Sequence, residues 1–297
     1  MKKILVDIYR SLYGYLDSDL PLGLRNGKIG ILLFMALYSE YMKDKQARDI
    51  SERLLAEIIP KVYSLPVRLK DGSWGALWVL QHLCNWEILE KDETMQRTLN
   101  RLALICRSSQ TAVPIRKIPE DGLFSEGICT LAQWNEEDTL ERYITAERLI
   151  GLVDECERLL TMDICGIHSP KTMPFSLLHS IVWYLKEMIR LKLYPYQAEQ
   201  LLFKAANLYP ILTDIDMVDR YVLTSLLSDR KMEFLKDQDN MTFCHILGKV
   251  GFYSLLYNCP ELFRHLWKPF VLPSSLPVET LCGLGYGILQ CKMNAYG

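Results

Sequence analysis

The sequence predicts an all-α protein, an α/α toroid of about seven helix-pair repeats that forms a single domain over residues 1 to 297. Three observations carry that expectation. A glycine pair three residues apart, Gly27-Lys28-Ile29-Gly30, leads directly into the apolar run Ile31 to Tyr38, as expected where backbone must approach atoms that a Cβ would exclude. The device returns 45 residues later at Gly72-Ser73-Trp74-Gly75, ahead of Ala76 to Leu80, a spacing typical of helical repeats. Nearly all-apolar helical stretches then alternate with amphipathic ones, the signature of an inner and an outer layer.

Taken in order, residues 2 to 16 place Ile4, Leu5, Ile8, Leu12 and Tyr15 at helical spacing. Although Met1-Lys2-Lys3 resembles the start of a signal peptide, Asp7 and Arg10 interrupt the apolar segment, and an ordinary first helix is expected. The first glycine-led inner helix is followed by an amphipathic outer helix over 43 to 59, closed by Pro60 and Pro66. A second pair is expected at 74 to 84 and 92 to 107, and a third from the looser Gly122 to Gly127 copy through Trp134, followed by 140 to 160. The fourth pair, without glycine, comprises Met173 to Leu185 and 195 to 208. A fifth is expected at 218 to 227 with a short outer piece at 231 to 235, and a sixth begins at Phe243, led by Gly248-Lys249-Val250-Gly251, with 261 to 267 outside. The compressed last copy, Cys282-Gly283-Leu284-Gly285-Tyr286-Gly287, has no outer helix after it, a place the N-terminal helix can fill. Seven units in 297 residues average about 42 each, enough for two helices and two loops. Such a series stacks as an open solenoid or closes into a ring, and unpaired first and last helices favour closure because a ring needs no polar caps. No run alternates as a strand would.

Composition narrows the function classes. With 34 basic and 36 acidic side chains and no long run of either sign, the chain lacks the concentrated basic face of a nucleic-acid binder. No apolar stretch reaches the length of a membrane span. Nine scattered cysteines without a CxxC make a poor disulfide framework, so a cytoplasmic location is expected.

The glycine-led helices, above all Gly23-Leu24-Arg25-Asn26-Gly27-Lys28-Ile29-Gly30, resemble the lanthionine synthetase cyclase (LanC-like) family, and look especially like its short bacterial members. In period the resemblance covers nearly the whole chain; in motif it rests on Gly27 to Gly30, Gly72 to Gly75 and Gly248 to Gly251. It implies a toroid that works on a modified peptide. Family cyclases hold one zinc ion with two cysteines and a histidine and activate a peptide thiolate for addition to a dehydrated serine or threonine, a use suited to zinc's open fourth position. The resemblance implies zinc ligands at Cys244, His245 and Cys282, although Cys244-His245 stands two residues further upstream of its glycines than the family pattern has it. Cys165 with His168 is the other substitute for the second cysteine. With that departure the implied function is a degenerate member that binds a peptide or partner protein. Trp74, inside a glycine bulge, is expected to point to the mouth of the ring and His179 to line it, both as substrate-binding residues.

Two other readings compete. An α/α-toroid carbohydrate enzyme would use carboxylates near inner-helix entrances, with Asp71, Glu120, Asp121, Glu126, Asp214 and Asp216 as the candidates. A helical-repeat scaffold would have no chemistry and an exposed apolar face.

Overall fold

Wherever the sequence is apolar on all sides of a helical period, the computed structural model has a helix buried on all sides. It describes residues 1–111, 122–134, 139–161, 173–208, 216–228 and 238–293. Among these residues there is no strand, and the helices in chain order are α1 (Lys2–Gly14), α2 (Lys28–Met42), α3 (Lys45–Ile58), α4 (Ser73–Asn85), α5 (Glu93–Thr111), α6 (Ser125–Leu131), α7 (Leu140–Thr161), α8 (Phe175–Arg190), α9 (Pro195–Leu208), α10 (Met217–Leu227), α11 (Asn240–Leu256), α12 (Pro260–Arg264) and α13 (Val278–Met293), with a 3-10 turn at Ile59–Ser64. The chain is therefore all-α over the described residues. Each expected inner helix is present: α2, α4, α6, α8, α10, α11 and α13. The outer piece expected at 231 to 235 lies outside the described residues.

The chain forms two compact units, Met1–Val113 with Glu233–Gly297, and Pro114–Met232. In the first, α2 is buried without interruption from Ile29 to Ser39, whereas α3 buries only Ala47, Ile50, Ser51, Leu54 and Ile58. That is the division between a core helix and an amphipathic cover. The two run antiparallel: Lys28 at the start of α2 pairs with Glu57 near the end of α3 at 2.8 Å, and Arg48 early in α3 with Glu40 late in α2 at 2.8 Å. Asp44 starts α3 by accepting from the Ala47 N–H at 2.9 Å, a side-chain cap that satisfies one orphan donor. In the next pair the Cys106 thiol, late in α5, donates to Ser73 at the start of α4 at 3.4 Å, again antiparallel.

The inner helices of this unit run parallel to one another. Arg25 pairs with Glu279 at 3.4 Å, and the Tyr286 hydroxyl donates to the Gly30 carbonyl at 2.6 Å, so α13 and α2 ascend together. His245 meets Thr280 at 2.9 Å and Ser254 meets Gln290 at 2.6 Å, which sets α11 parallel to α13. The C-terminal helix thus lies between α11 and α2. Its cover is α1, which packs on α13, buries Leu5, Ile8 and Leu12 and donates from the Tyr15 hydroxyl to the Leu276 carbonyl at 3.1 Å. α1 thus covers α13, which has no helix after it among the described residues.

The second unit repeats the plan. Phe124 N–H donates to Ser180 Oγ at 2.9 Å, placing α6 beside α8. Two contacts at the same offset of 40 residues set α8 parallel to α10: His179 to Asp219 at 3.6 Å and Lys186 Nζ to the Leu226 carbonyl at 2.6 Å. The cover helices α7 and α9 are linked through Glu157, which accepts from Gln197 at 3.0 Å and pairs with Lys204 at 3.3 Å. Tyr184 of α8 donates to the Leu149 carbonyl of α7 at 2.5 Å. Burial pushes that phenol far above its usual range, so it is a permanent donor.

Candidate functional site

The entrances to α2 and α4 are one structure built twice. Lys28 N–H donates to the Pro21 carbonyl at 2.9 Å and Ser73 N–H to the Pro66 carbonyl at 2.8 Å; Gly30 N–H reaches the Gly23 carbonyl at 3.3 Å and Gly75 N–H the Arg68 carbonyl at 3.3 Å. Every partner is displaced by 45 residues, so the sequence repeat is a repeat of hydrogen bonds. Gly27 and Gly72 cap the helices with φ of −146° and −144°, extended values open to any residue. Glycine is needed for room: a Cβ on Gly72 would stand 2.8 Å from Arg68 N and overlap the Pro66 carbonyl, and one on Gly27 would lie 2.5 Å from Gly23 N and overlap the Pro21 carbonyl. The loops bury Leu24 and Leu69 completely and are joined by Arg25 N–H donating to the Lys70 carbonyl at 2.9 Å. Trp74, the second residue of α4, is only 1% exposed; its ring is packed into the protein and is not presented at a mouth.

The fourth glycine pair behaves differently. Asp239 accepts from the Thr242 N–H at 3.0 Å and starts α11 at Asn240, so Gly248 and Gly251 fall in mid-helix. There they admit α13. A Cβ on Gly248 would lie 2.8 Å from the Thr280 carbonyl oxygen and 2.9 Å from Thr280 Cα, and those on Gly251 and Gly283 would overlap the carbonyls of Gly283 and Gly248 respectively. The two helices cross backbone to backbone, the approach that small residues alone permit and that Cα–H···O contacts accompany. Gly283 and Gly285 to Gly287, expected at a helix entrance, likewise lie inside α13.

That placement corrects the ligand set. Cys244 and His245 sit in the second turn of a helix and not on a loop, and neighbours on a helix diverge by about 100°. Cys244 is fully buried, while His245 is exposed and its Nδ1 lies 2.9 Å from Thr280 Oγ1. Thr280, Gly283 and Gly287 form the side of α13 that meets α11 and α12, whereas Cys282 belongs with Tyr286 on the side that meets α2. Among the described residues no three His, Cys, Asp or Glu side chains gather to hold a metal ion. Burial raises the Cys244 thiol to about 11 and Cys282 to about 12, the Tyr286 hydrogen bond working weakly the other way, so both are neutral thiols at pH 7. As placed, Cys244, His245 and Cys282 do not fit the implied zinc. Cys165 and His168 lie outside the described residues.

The described residues do bring together one buried ionisable pair of inner-helix side chains. His179 of α8 is fully buried and its Nε2 stands 3.6 Å from Oδ1 of Asp219, itself 8% exposed on α10. Neither segment alone signals Asp219; its partnership with His179 follows from α8 and α10 running parallel at a constant offset of 40 residues. A second imidazole, His82 of α4, lies tilted against Trp78 with ring centroids 4.0 Å apart and edge-on to Trp86 at 5.0 Å. Its Nδ1 lies 2.9 Å from the Trp78 carbonyl; because a carbonyl only accepts, the proton is on Nδ1 and Nε2 is the bare acceptor. Burial lowers this histidine to about 4, so it is neutral at physiological pH.

Two of the carboxylates expected for carbohydrate chemistry have other partners. Asp216 accepts from the N–H groups of Val218 and Asp219 at 2.8 and 3.3 Å, as a cap, and Asp71 pairs with Arg68 at 3.6 Å. Glu126 lies in the first turn of α6, and Glu120, Asp121 and Asp214 lie outside the described residues. No helix of the described residues is long and apolar enough to cross a membrane. No protein-family model, curated protein or solved structure matches the chain.

Proposed function

We propose that the chain is a LanC-like α/α toroid of seven helix pairs that holds a peptide without performing zinc chemistry on it. The observation that carries this reading is the seam between the chain ends. The last inner helix, α13, is covered by α1 and flanked by α11 and α2, the arrangement a ring of helix pairs requires and an open solenoid does not. The hydrogen-bonded repeat at the α2 and α4 entrances supports the family resemblance. The dispersed positions of Cys244, His245 and Cys282 favour a binding role over catalysis.

The test uses a fluorescent synthetic peptide containing one cysteine and one dehydroalanine. Saturable binding by fluorescence anisotropy, with thioether formation no faster than in buffer as followed by loss of alkylatable thiol, is the expected result. Faster thiol loss would replace binding by catalysis, and an absence of saturable binding would overturn the peptide reading.

A further inference from the structure

At the end of α13 furthest from the glycine crossing, a short polar network ties the helix to the turn that carries Cys259, and the Cys291 thiol meets the carbonyl of the residue after it. Ser254 of α11 has its hydroxyl 2.9 Å from the Cys259 carbonyl and 2.6 Å from Gln290 Oε1. Gln290 Nε2 donates to Asn258 Oδ1 at 3.2 Å, and the Cys291 thiol points at the Pro260 carbonyl at 3.6 Å. Consecutive residues of α13 therefore grip the residues on both sides of Cys259. Neither cysteine is in a disulfide; Cys259 is half-buried and Cys291 buried. Cys259 lies on the turn between α11 and α12, where Asn258 at φ 46° makes the bend.

We infer that Cys259 and Cys291 are a redox pair, closing to a disulfide that fastens the end of α13 to the α11 to α12 turn. A disulfide needs Cα atoms within about 7 Å, and the Cys291 sulfur already lies 3.6 Å from the carbonyl oxygen of Pro260, the residue next to Cys259. The half-buried Cys259 thiolate attacks a hydroperoxide oxygen, giving a sulfenic acid and releasing water or an alcohol. Cys291 then attacks that sulfur; the S–O bond breaks, the S–S bond forms and the sulfenic oxygen leaves as water. Two thiols lose two electrons and two protons, and the hydroperoxide accepts them. Cys291, buried on α13, takes the resolving role; burial raises its thiol and the Arg264 guanidinium opposes that rise. The consequence is structural, because α13 is the helix on which both ends of the chain meet. This inference stands apart from the peptide reading.

The test is a hydrogen peroxide titration of the untagged full-length chain, followed by alkylation, trypsin digestion without reductant and mass spectrometry. Cleavage after Arg264 separates Cys259 from Cys291, and because Cys282 shares the Cys291 peptide, fragment ions of the linked species assign which of the two is bridged. The expected product is a dithiothreitol-sensitive linkage of the Cys259 and Cys291 peptides, formed in the wild type and absent from Cys259→Ser and Cys291→Ala. Recovery of the two only as separate alkylated, sulfinic or sulfonic peptides, or linked to other cysteines, would overturn the assignment. The wild-type map decides this even where a variant folds poorly. As a second readout, oxidation slows amide exchange at the end of α13 in the wild type and leaves Cys259→Ser unchanged; equal slowing in both would also overturn it.

Discussion

The entrances to α2 and α4 and the crossing of α11 with α13 use the same spacing, glycine-x-x-glycine, for opposite purposes. At the entrances the pair opens room for a loop that folds back over its own helix start, with Gly72 against the Pro66 carbonyl. At the crossing the pair lies in mid-helix and opens room for another helix, with Gly248 against Thr280. What separates the two cases is the residue that starts the helix. Gly27 and Gly72 are themselves the caps, whereas Asp239 caps α11 well before its glycines arrive. A glycine pair therefore reports close approach, and the cap reports what approaches.

That difference orders the effects of filling the space. Alanine inside a helix normally gains about 0.5–1 kcal/mol over glycine, so a loss measures the clash alone. Gly283→Ala is expected to destabilise the first unit most, by about 3 kcal/mol or more, because two backbones buried on both sides must separate. Urea unfolding followed by far-ultraviolet circular dichroism reads it. Gly72→Ala is expected to cost about 2 kcal/mol, less because a loop shifts more easily than a helix pair. Equal losses at the two sites would erase the distinction. Combining Gly72→Ala with Gly27→Ala tests whether the entrances are one unit: Arg25 N–H bonds to the Lys70 carbonyl, so the two losses should fall short of, or exceed, their sum.

Smaller effects sharpen the seam. Tyr286→Phe removes the hydroxyl that bonds the Gly30 carbonyl and is expected to cost about 1–2 kcal/mol, leaving a buried acceptor unmatched. The same denaturation curves read it. At α4, His82 has its pKa lowered by burial to about 4, below its ordinary value. Between that value and the usual histidine range the unfolded chain binds the extra proton, so stability rises with pH across this window and falls as pH drops through it. The contribution is on the order of 2 kcal/mol, discounted because solvent reaches part of the ring. His82→Gln should flatten that part of the stability profile, as melting temperatures at pH 4.5 and 7 would register.

Much of the fold was legible because burial and periodicity are local. The uninterrupted apolar run of α2 and the one-sided pattern of α3 name their layers, and Pro195 starts α9 where the pattern says. The start of α11 differs from the glycine-led expectation because Asp239, in the ordinary cap sequence Asp-Asn-Met-Thr, starts the helix before the glycines arrive. The site was far less legible. Whether Cys244, His245 and Cys282 converge depends on helix rotation, and the crossing turns Cys282 toward α2 and Tyr286. Asp219 escaped notice because partnership with His179 is a property of two parallel helices in register, not of either segment.

The central claim is a LanC-like ring without metal chemistry, and elemental analysis of the untagged protein purified without chelator tests it most directly. The account predicts zinc far below one ion per chain, and no change in Cys244→Ala with His245→Ala. One zinc per chain that disappears in that variant would contradict it, and would mean that these side chains reach a common ion after all.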